Sequence, residues 1–179
     1  MTEVGAGDAA KVIAAAAAGD DVAFARIVAA HHAEIVRICH MVARDRAIAE
    51  EAAQSAWSIA WRKLDSIRQP DRLRPWLIAV AVNEARKLLK KRIRQDRVEV
   101  IGEPPDQPGG RDPATGITNL DLQDALERLD PDDRALLVMR YVAGFDASEL
   151  ASEAGLTPSG TRTRLERLLK RLRQDLSHG

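Results

Sequence analysis

Apolar side chains return every three or four residues along most of the chain, and no stretch alternates apolar with polar as a half-buried strand does, so helices are predicted throughout. Four fall before residue 98. Asp8–Ala18 stops at Gly19, a residue suited to the position after a helix. Asp20 or Asp21 caps a second, running to about Arg44 with Val22, Ile27, Ile35, Ile38 and Val42 on its apolar side. A third, about Arg46–Leu64, carries Trp57 and Trp61 one turn apart. Asp65–Arg72, with Pro70, reads as a loop. The fourth, about Leu73–Arg97, buries Leu73, Trp76, Leu77, Val80 and Leu88, with Pro75 tolerated in its first turn.

The periodicity then lapses. Val98–Ile117 contains Pro104, Pro105, Pro108 and Pro113 among Gly102, Gly109, Gly110 and Gly116, the composition of an extended, flexible linker. Four shorter helices follow. Thr118–Leu129 is closed by Asp130-Pro131, a cap and first-turn pair that opens the next helix. That helix ends at Gly144. Asp146 and Glu149 then have the spacing of a capping box, for a helix reaching Ala154. Gly155-Leu156-Thr157-Pro158 is a tight turn, with Thr157 capping and Pro158 opening the last helix. Helix, glycine-containing turn, helix is the pattern of a helix-turn-helix. The predicted fold is all-α: two small helical domains, 1–97 and 118–179, joined by the Pro/Gly-rich linker 98–117.

The last helix carries the most chemistry. Thr161, Leu165, Leu168, Leu169, Leu172 and Leu176 share one face at helical spacing. The opposite face presents Ser159, Thr163, Glu166, Arg167 and Lys170, flanked by Arg162, Arg164 and Arg171. Arg pairs bidentately with guanine, Glu accepts from cytosine and flanking cations hold phosphates, so this front suits the major groove. A solvated amphipathic helix gives the same periodicity, and the preceding turn and capped helix favour the DNA-reading alternative. On the fourth helix Lys87, Lys90, Lys91 and Arg94 form one basic stripe, equally a phosphate-binding row or a solvated face.

Global charge is uninformative, because Lys+Arg and Asp+Glu both number 27. Cys39 is the single cysteine, which excludes an intramolecular disulfide and fits a reducing compartment. No signal-peptide pattern and no apolar run near the roughly 20 residues of a membrane span is present, so a soluble cytoplasmic protein is expected. His31, His32, Cys39 and His40 lack the spacing of a zinc site, and nothing pairs a nucleophile with a base. Neither a metal, a cofactor nor an enzymatic activity is expected. At least two of Trp57, Trp61 and Trp76 are expected in the core.

Three segments together resemble a known family. Ala49-Glu50-Glu51-Ala52-Ala53-Gln54 through Trp57 and Trp61-Arg62-Lys63-Leu64 is similar to region 2.2 of the extracytoplasmic-function (ECF) sigma factors. The run from Arg74-Pro75-Trp76-Leu77 to Asn83-Glu84-Ala85-Arg86 resembles regions 2.3–2.4. Leu129-Asp130-Pro131 through Arg140-Tyr141, with Gly144, Glu149-Leu150-Ala151, Gly155-Leu156-Thr157 and Arg162-Thr163-Arg164-Leu165, resembles region 4. The resemblance implies a transcription initiation factor that binds core RNA polymerase. Region 2 would hold the β′ clamp helices through Glu51, Gln54 and Trp61. It would take the promoter −10 element through Asn83 and the loop Ser66–Arg72, beside the basic stripe Lys87, Lys90, Lys91 and Arg94. Region 4 would rest on the β flap and read the −35 element with the last helix. An anti-sigma factor is the implied inhibitor. Ser55, Trp57 and Lys87 depart from the family, which usually has an acidic residue, Phe, and Asp or Asn at those places. A helix-turn-helix regulator acting unaided, and a sigma-like decoy for an anti-sigma factor, are the alternative readings.

Overall fold

A computed structural model describes residues 6–67, 69–99 and 119–177, all of whose regular elements are helical. The elements are α1 (Ala6–Ala17), α2 (Asp21–Ala43), α3 (Arg46–Lys63), α4 (Leu73–Glu99), α5 (Asn119–Glu127), α6 (Pro131–Tyr141), α7 (Ala147–Ala154) and α8 (Pro158–Ser177). Leu64–Ser66 and Pro70–Arg72 add two short 3-10 turns within the expected loop. The expected linker lies outside the described residues except at its start, because α4 continues through Glu99 rather than stopping at Arg97.

Short polar residues set the turns of the first four helices. The Asp20 carboxylate accepts from the backbone N–H groups of Val22 and Ala23 at 2.8 and 3.0 Å, satisfying donors that open α2. At its other end Arg44 adopts a left-handed φ of 58° and donates its N–H to the His40 carbonyl. Asp45 then caps α3 through Ile48 at 3.0 Å. Two adjacent residues thus end one helix and start the next, folding α2 and α3 into an antiparallel pair.

α3 presents Ala49, Ala52, Ala53, Ala56 and Ala60 inward, all fully buried. Side chains this short let α2 and α4 approach closely, so the core of this unit is Ile35, Ile38, Val42, Leu77, Ile78 and Val82 set against an alanine surface. Val22 corrects the reading of α2: it is 65% exposed, and Phe24 packs on the core instead.

In α5–α8 the predicted caps form. Asp130 accepts from Asp132 N–H ahead of Pro131, and Asp146 and Glu149 make a reciprocal capping box. Gly155 closes α7 at φ 65°, where a Cβ would be strained. Leu156 and Thr157 follow, and the Thr157 hydroxyl accepts from Gly160 N–H at 3.1 Å. Thr161, Leu165 and Leu168 of α8 are buried, while Leu169, Leu172 and Leu176 are half-buried.

The two groups of helices pack on each other. α6 lies across α2 and α4, and the buried apolar cluster runs continuously from Ile13 to Leu168 through both groups. Arg134 enters this seam only 6% exposed. Its Nη1 donates to the Val42 carbonyl at 3.0 Å, and Nη2 donates to the Glu127 and Leu129 carbonyls. The guanidinium thereby joins the carboxyl end of α2, where carbonyls lack helical partners, to the α5–α6 turn.

Candidate functional site

Three surfaces gather the residues singled out in the sequence. The first is on α2 and α3. Glu51, Gln54, Ser58 and Trp61 follow one another along the exposed side of α3, at three- or four-residue intervals. Gln54 and Trp61 border an open groove of about 910 Å³ whose floor includes Phe24, Val28 and Val36 of α2. The Phe24 ring stands edge-on to Trp61 at 4.9 Å and to Trp57 at 6.0 Å. Trp57 is held further by its indole N–H, which donates to His32 Nδ1 at 3.1 Å. Trp61 stays 42% exposed, so it is not core; Trp57 is buried and Trp76 half-buried. The groove is apolar within and edged by Glu50, Gln54 and Arg62, the make-up of a surface that accepts an amphipathic helix. Phe24 and His32 were missed from sequence because α2 gave only its aliphatic spacing.

The second surface is the exposed side of α4. Lys87, Lys91 and Arg94 are exposed, whereas Asn83 and Lys90 are half-buried. The stripe is therefore not uniformly open. Lys87 pairs with Glu84 at 2.7 Å on the same helix. Lys90 donates to Asp132 of α6 at 2.6 Å, and Arg86 donates to the other oxygen of that carboxylate at 2.7 Å. Arg86 also donates to the Asn83 side-chain oxygen at 2.9 Å, while the Asn83 amide donates to Glu153 of α7 at 3.4 Å. Burial pushes the Asp132 carboxyl upward, but hydrogen bonds from Lys90 and Arg86 outweigh it and leave the group below its ordinary value. Of the loop Ser66–Arg72, position 68 lies outside the described residues, and Arg72 pairs with Glu149 of α7 at 3.4 Å.

The third surface is the front of α8. Ser159, Arg162, Thr163, Glu166, Arg167 and Lys170 are all exposed, opposite the buried Thr161, Leu165 and Leu168. Arg164 is half-buried and donates to Asp133 of α6 at 2.7 Å, which makes it a strut between α6 and α8. Thr163 keeps its hydroxyl close to the helix by donating to the Ser159 carbonyl at 3.2 Å.

Cys39 lies apart from these surfaces, whereas His32 belongs to the lining of the α2–α3 groove. Cys39 is buried, its thiol 3.6 Å from the Ala81 carbonyl, and burial raises its pKa to about 12. No helix among the described residues is long and apolar enough to cross a membrane.

Residues 27–95 match the family model for sigma-70 region 2, and residues 119–172 match that for sigma-70, region 4. The chain is 32% identical over 171 residues to a probable RNA polymerase sigma factor, RfaY, of Xanthomonas campestris, covering 90% of this chain and 42% of that protein. It is 28% identical to the RNA polymerase sigma factor CarQ of Myxococcus xanthus, covering 85% of this chain and 88% of CarQ. To the ECF RNA polymerase sigma factor SigM of Mycobacterium tuberculosis it is 27% identical, with 94% and 85% covered. In fold it is similar to CnrH, solved in complex with the cytosolic domain of CnrY, with a TM-score of 0.66 at 24% identity over 96% of this chain and 99% of CnrH. It is likewise similar to RpoE of Bartonella quintana, solved with the anti-sigma factor NepR, with a TM-score of 0.68 at 21% identity over 86% and 96% of the two chains. With regions 2 and 4 matched in order on the two helical groups, the chain belongs to the sigma-70 family of transcription initiation factors, in its ECF branch.

Proposed function

We propose that this chain acts in the cytoplasm as a promoter-specificity subunit of RNA polymerase, with no catalysis of its own. The observation that carries the reading is the division of α8, whose leucines are buried while Thr163, Glu166, Arg167 and Lys170 stand exposed behind a capped turn. That front matches what a recognition helix offers to base edges and phosphates, and we assign it to the −35 element together with Ser159 and Arg162. Arg164, tied to Asp133, sits at the edge of this contact and orients the helix.

The α2–α3 groove takes the β′ clamp helices, with Gln54 and Trp61 on its border and Glu51 beside it. The second helical group rests on the β flap. Asn83, Lys87, Lys90, Lys91 and Arg94 meet the −10 element, the cations holding phosphates and the amide contacting a base. An anti-sigma factor is the natural antagonist, a reading supported by the complex with an anti-sigma factor in which RpoE was solved.

Run-off transcription by core polymerase on a promoter with −10 and −35 elements, with and without this chain, tests the reading. Promoter-dependent transcripts only in its presence are expected. A protein that binds promoter fragments specifically without core, and adds nothing to core transcription, would be a regulator instead. One that binds an anti-sigma factor but never supports initiation would be a decoy.

A further inference from the structure

A line of four rings runs along the α2–α3 groove. Trp57 is buried, and its indole N–H, the only polar atom of the side chain, needs a partner once water is excluded. That partner is His32 Nδ1 at 3.1 Å, so the bond ties α3 to α2. The imidazole and the Trp57 ring have centroids 6.5 Å apart, Trp57 and Phe24 6.0 Å, and Phe24 and Trp61 4.9 Å. The line starts at an exposed histidine and ends at the exposed Trp61 on the groove border. An imidazole accepts this bond only while it is neutral with Nδ1 bare. Once both nitrogens carry protons it has donors alone, and the indole N–H faces another N–H. Phenylalanine at position 57 would be indifferent to that change.

We infer that His32 is a positioning residue for polymerase binding. Neutral, it holds Trp57, and through it Phe24 and Trp61, in the arrangement the clamp helices meet; protonated, it releases that lining, so core binding weakens in acid. The inference rests on the proposed role of this groove. Of the charged groups around the imidazole, Glu50 and Arg62 of α3 line the groove with it, and Glu50 is engaged by Arg46 at 2.9 Å. One turn away along α2 stand Val28, Ala29, Ile35 and Val36, none of them titratable. From α4, Arg74 pairs with Glu34 and faces the neighbouring His31. Histidines take up their second proton within roughly pH 5–8. The bond is therefore complete at the alkaline end of that range and is lost as pH falls through it.

The test measures the affinity of the full chain for core polymerase at about pH 8 and about pH 6. Besides wild type, its arms are His32→Asn, whose amide oxygen keeps an acceptor that does not titrate, and His32→Leu, which has none. Trp57→Phe removes the donor, and His31→Gln controls for the neighbouring imidazole. Circular dichroism checks that each variant folds, and proton NMR follows the Trp57 indole N–H in the free chain. Relative to His32→Asn, wild type should lose about fivefold in affinity between the two conditions, the order of one buried donor left unpaired. Its indole N–H resonance should shift over the same range. His32→Leu should bind in the alkaline condition as weakly as wild type does in acid. His31→Gln should keep the wild-type response, and Trp57→Phe should lose it. A response in His32→Asn equal to that of wild type overturns the inference, as does its loss in His31→Gln. Trp61→Ala separates this failure from that of the groove reading. If it weakens core binding while the histidine variants do not, polymerase uses the groove but His32 does not position it. If it changes nothing while the indole still titrates, the groove is not the polymerase contact, and both readings fall.

Discussion

Single side chains do three separable things in this fold, and substitutions should divide accordingly. Arg167 is exposed on the front of α8, and Leu165 is buried behind it. On a library of −35 variants, Arg167→Ala should cost about 1–3 kcal/mol and relax preference mainly at one position, as loss of a bidentate base contact does. Leu165→Ala should instead lower stability by about 2–5 kcal/mol through the cavity it leaves, seen as a shifted denaturation midpoint, and reduce activity on every promoter alike. Cys39 is the third kind. With its pKa near 12 almost no thiolate exists at neutral pH, so a thiol-specific chromogenic reagent should react with the folded chain hardly at all and with the denatured chain fully. The facing of α8 was legible in the sequence because leucine spacing alone fixes which side is buried. Phe24 and Arg134 were not. An arginine is expected at the surface, and nothing local marks position 134 as the partner of a carbonyl 92 residues away.

At the scale of elements, the caps carry most of what could be read in advance. Asp20, Asp130 and Asp146 each begin the helix they were spaced to begin, and Gly155 ends α7, while Asp45 caps α3 without having been singled out. The edges that moved are those without a cap signal. α4 passes Arg97 to Glu99 because Val98 and Glu99 still suit a helix, and no breaker precedes Gly102. What sequence could not supply is the partner of each face. α3 has an alanine side and a mixed polar side, and only packing shows that the polar side borders the groove with α2. That exposed side makes a clean test of polymerase binding. Glu51→Lys with Gln54→Ala should reduce co-purification with core polymerase roughly tenfold, an interface hot-spot loss, while leaving the melting temperature within a few degrees of wild type. Equal recovery of core with the variant would move the polymerase contact off α3.

The docking of the two helical groups was invisible in the sequence, where Asp132 and Asp133 read as ordinary first-turn acids of α6 favoured by its dipole. Asp132 meets Arg86 and Lys90 of α4, 46 and 42 residues distant, while Asp133 meets Arg164 within the second group. A pH dependence follows from Asp132, which faces Arg86 and Lys90 of α4 and shares a small pocket with Glu153 and Arg164. Its carboxyl is held below the ordinary 3.8 in the closed arrangement. The stabilisation it lends to closure is therefore complete above that value and is lost as acid takes the pH through the lower one. Scattering from pH 7 down to 3 should show the chain expanding in acid, with a shallower pH response in Asp132→Asn. The buried arginine has a different consequence. Arg134 and the continuous apolar cluster tie the two groups by contacts that salt screens far less than the ion pairs around them. Calorimetry at high ionic strength should therefore still record one endotherm for the whole chain, and Arg134→Leu should split it in two, the halves melting as strangers to one another.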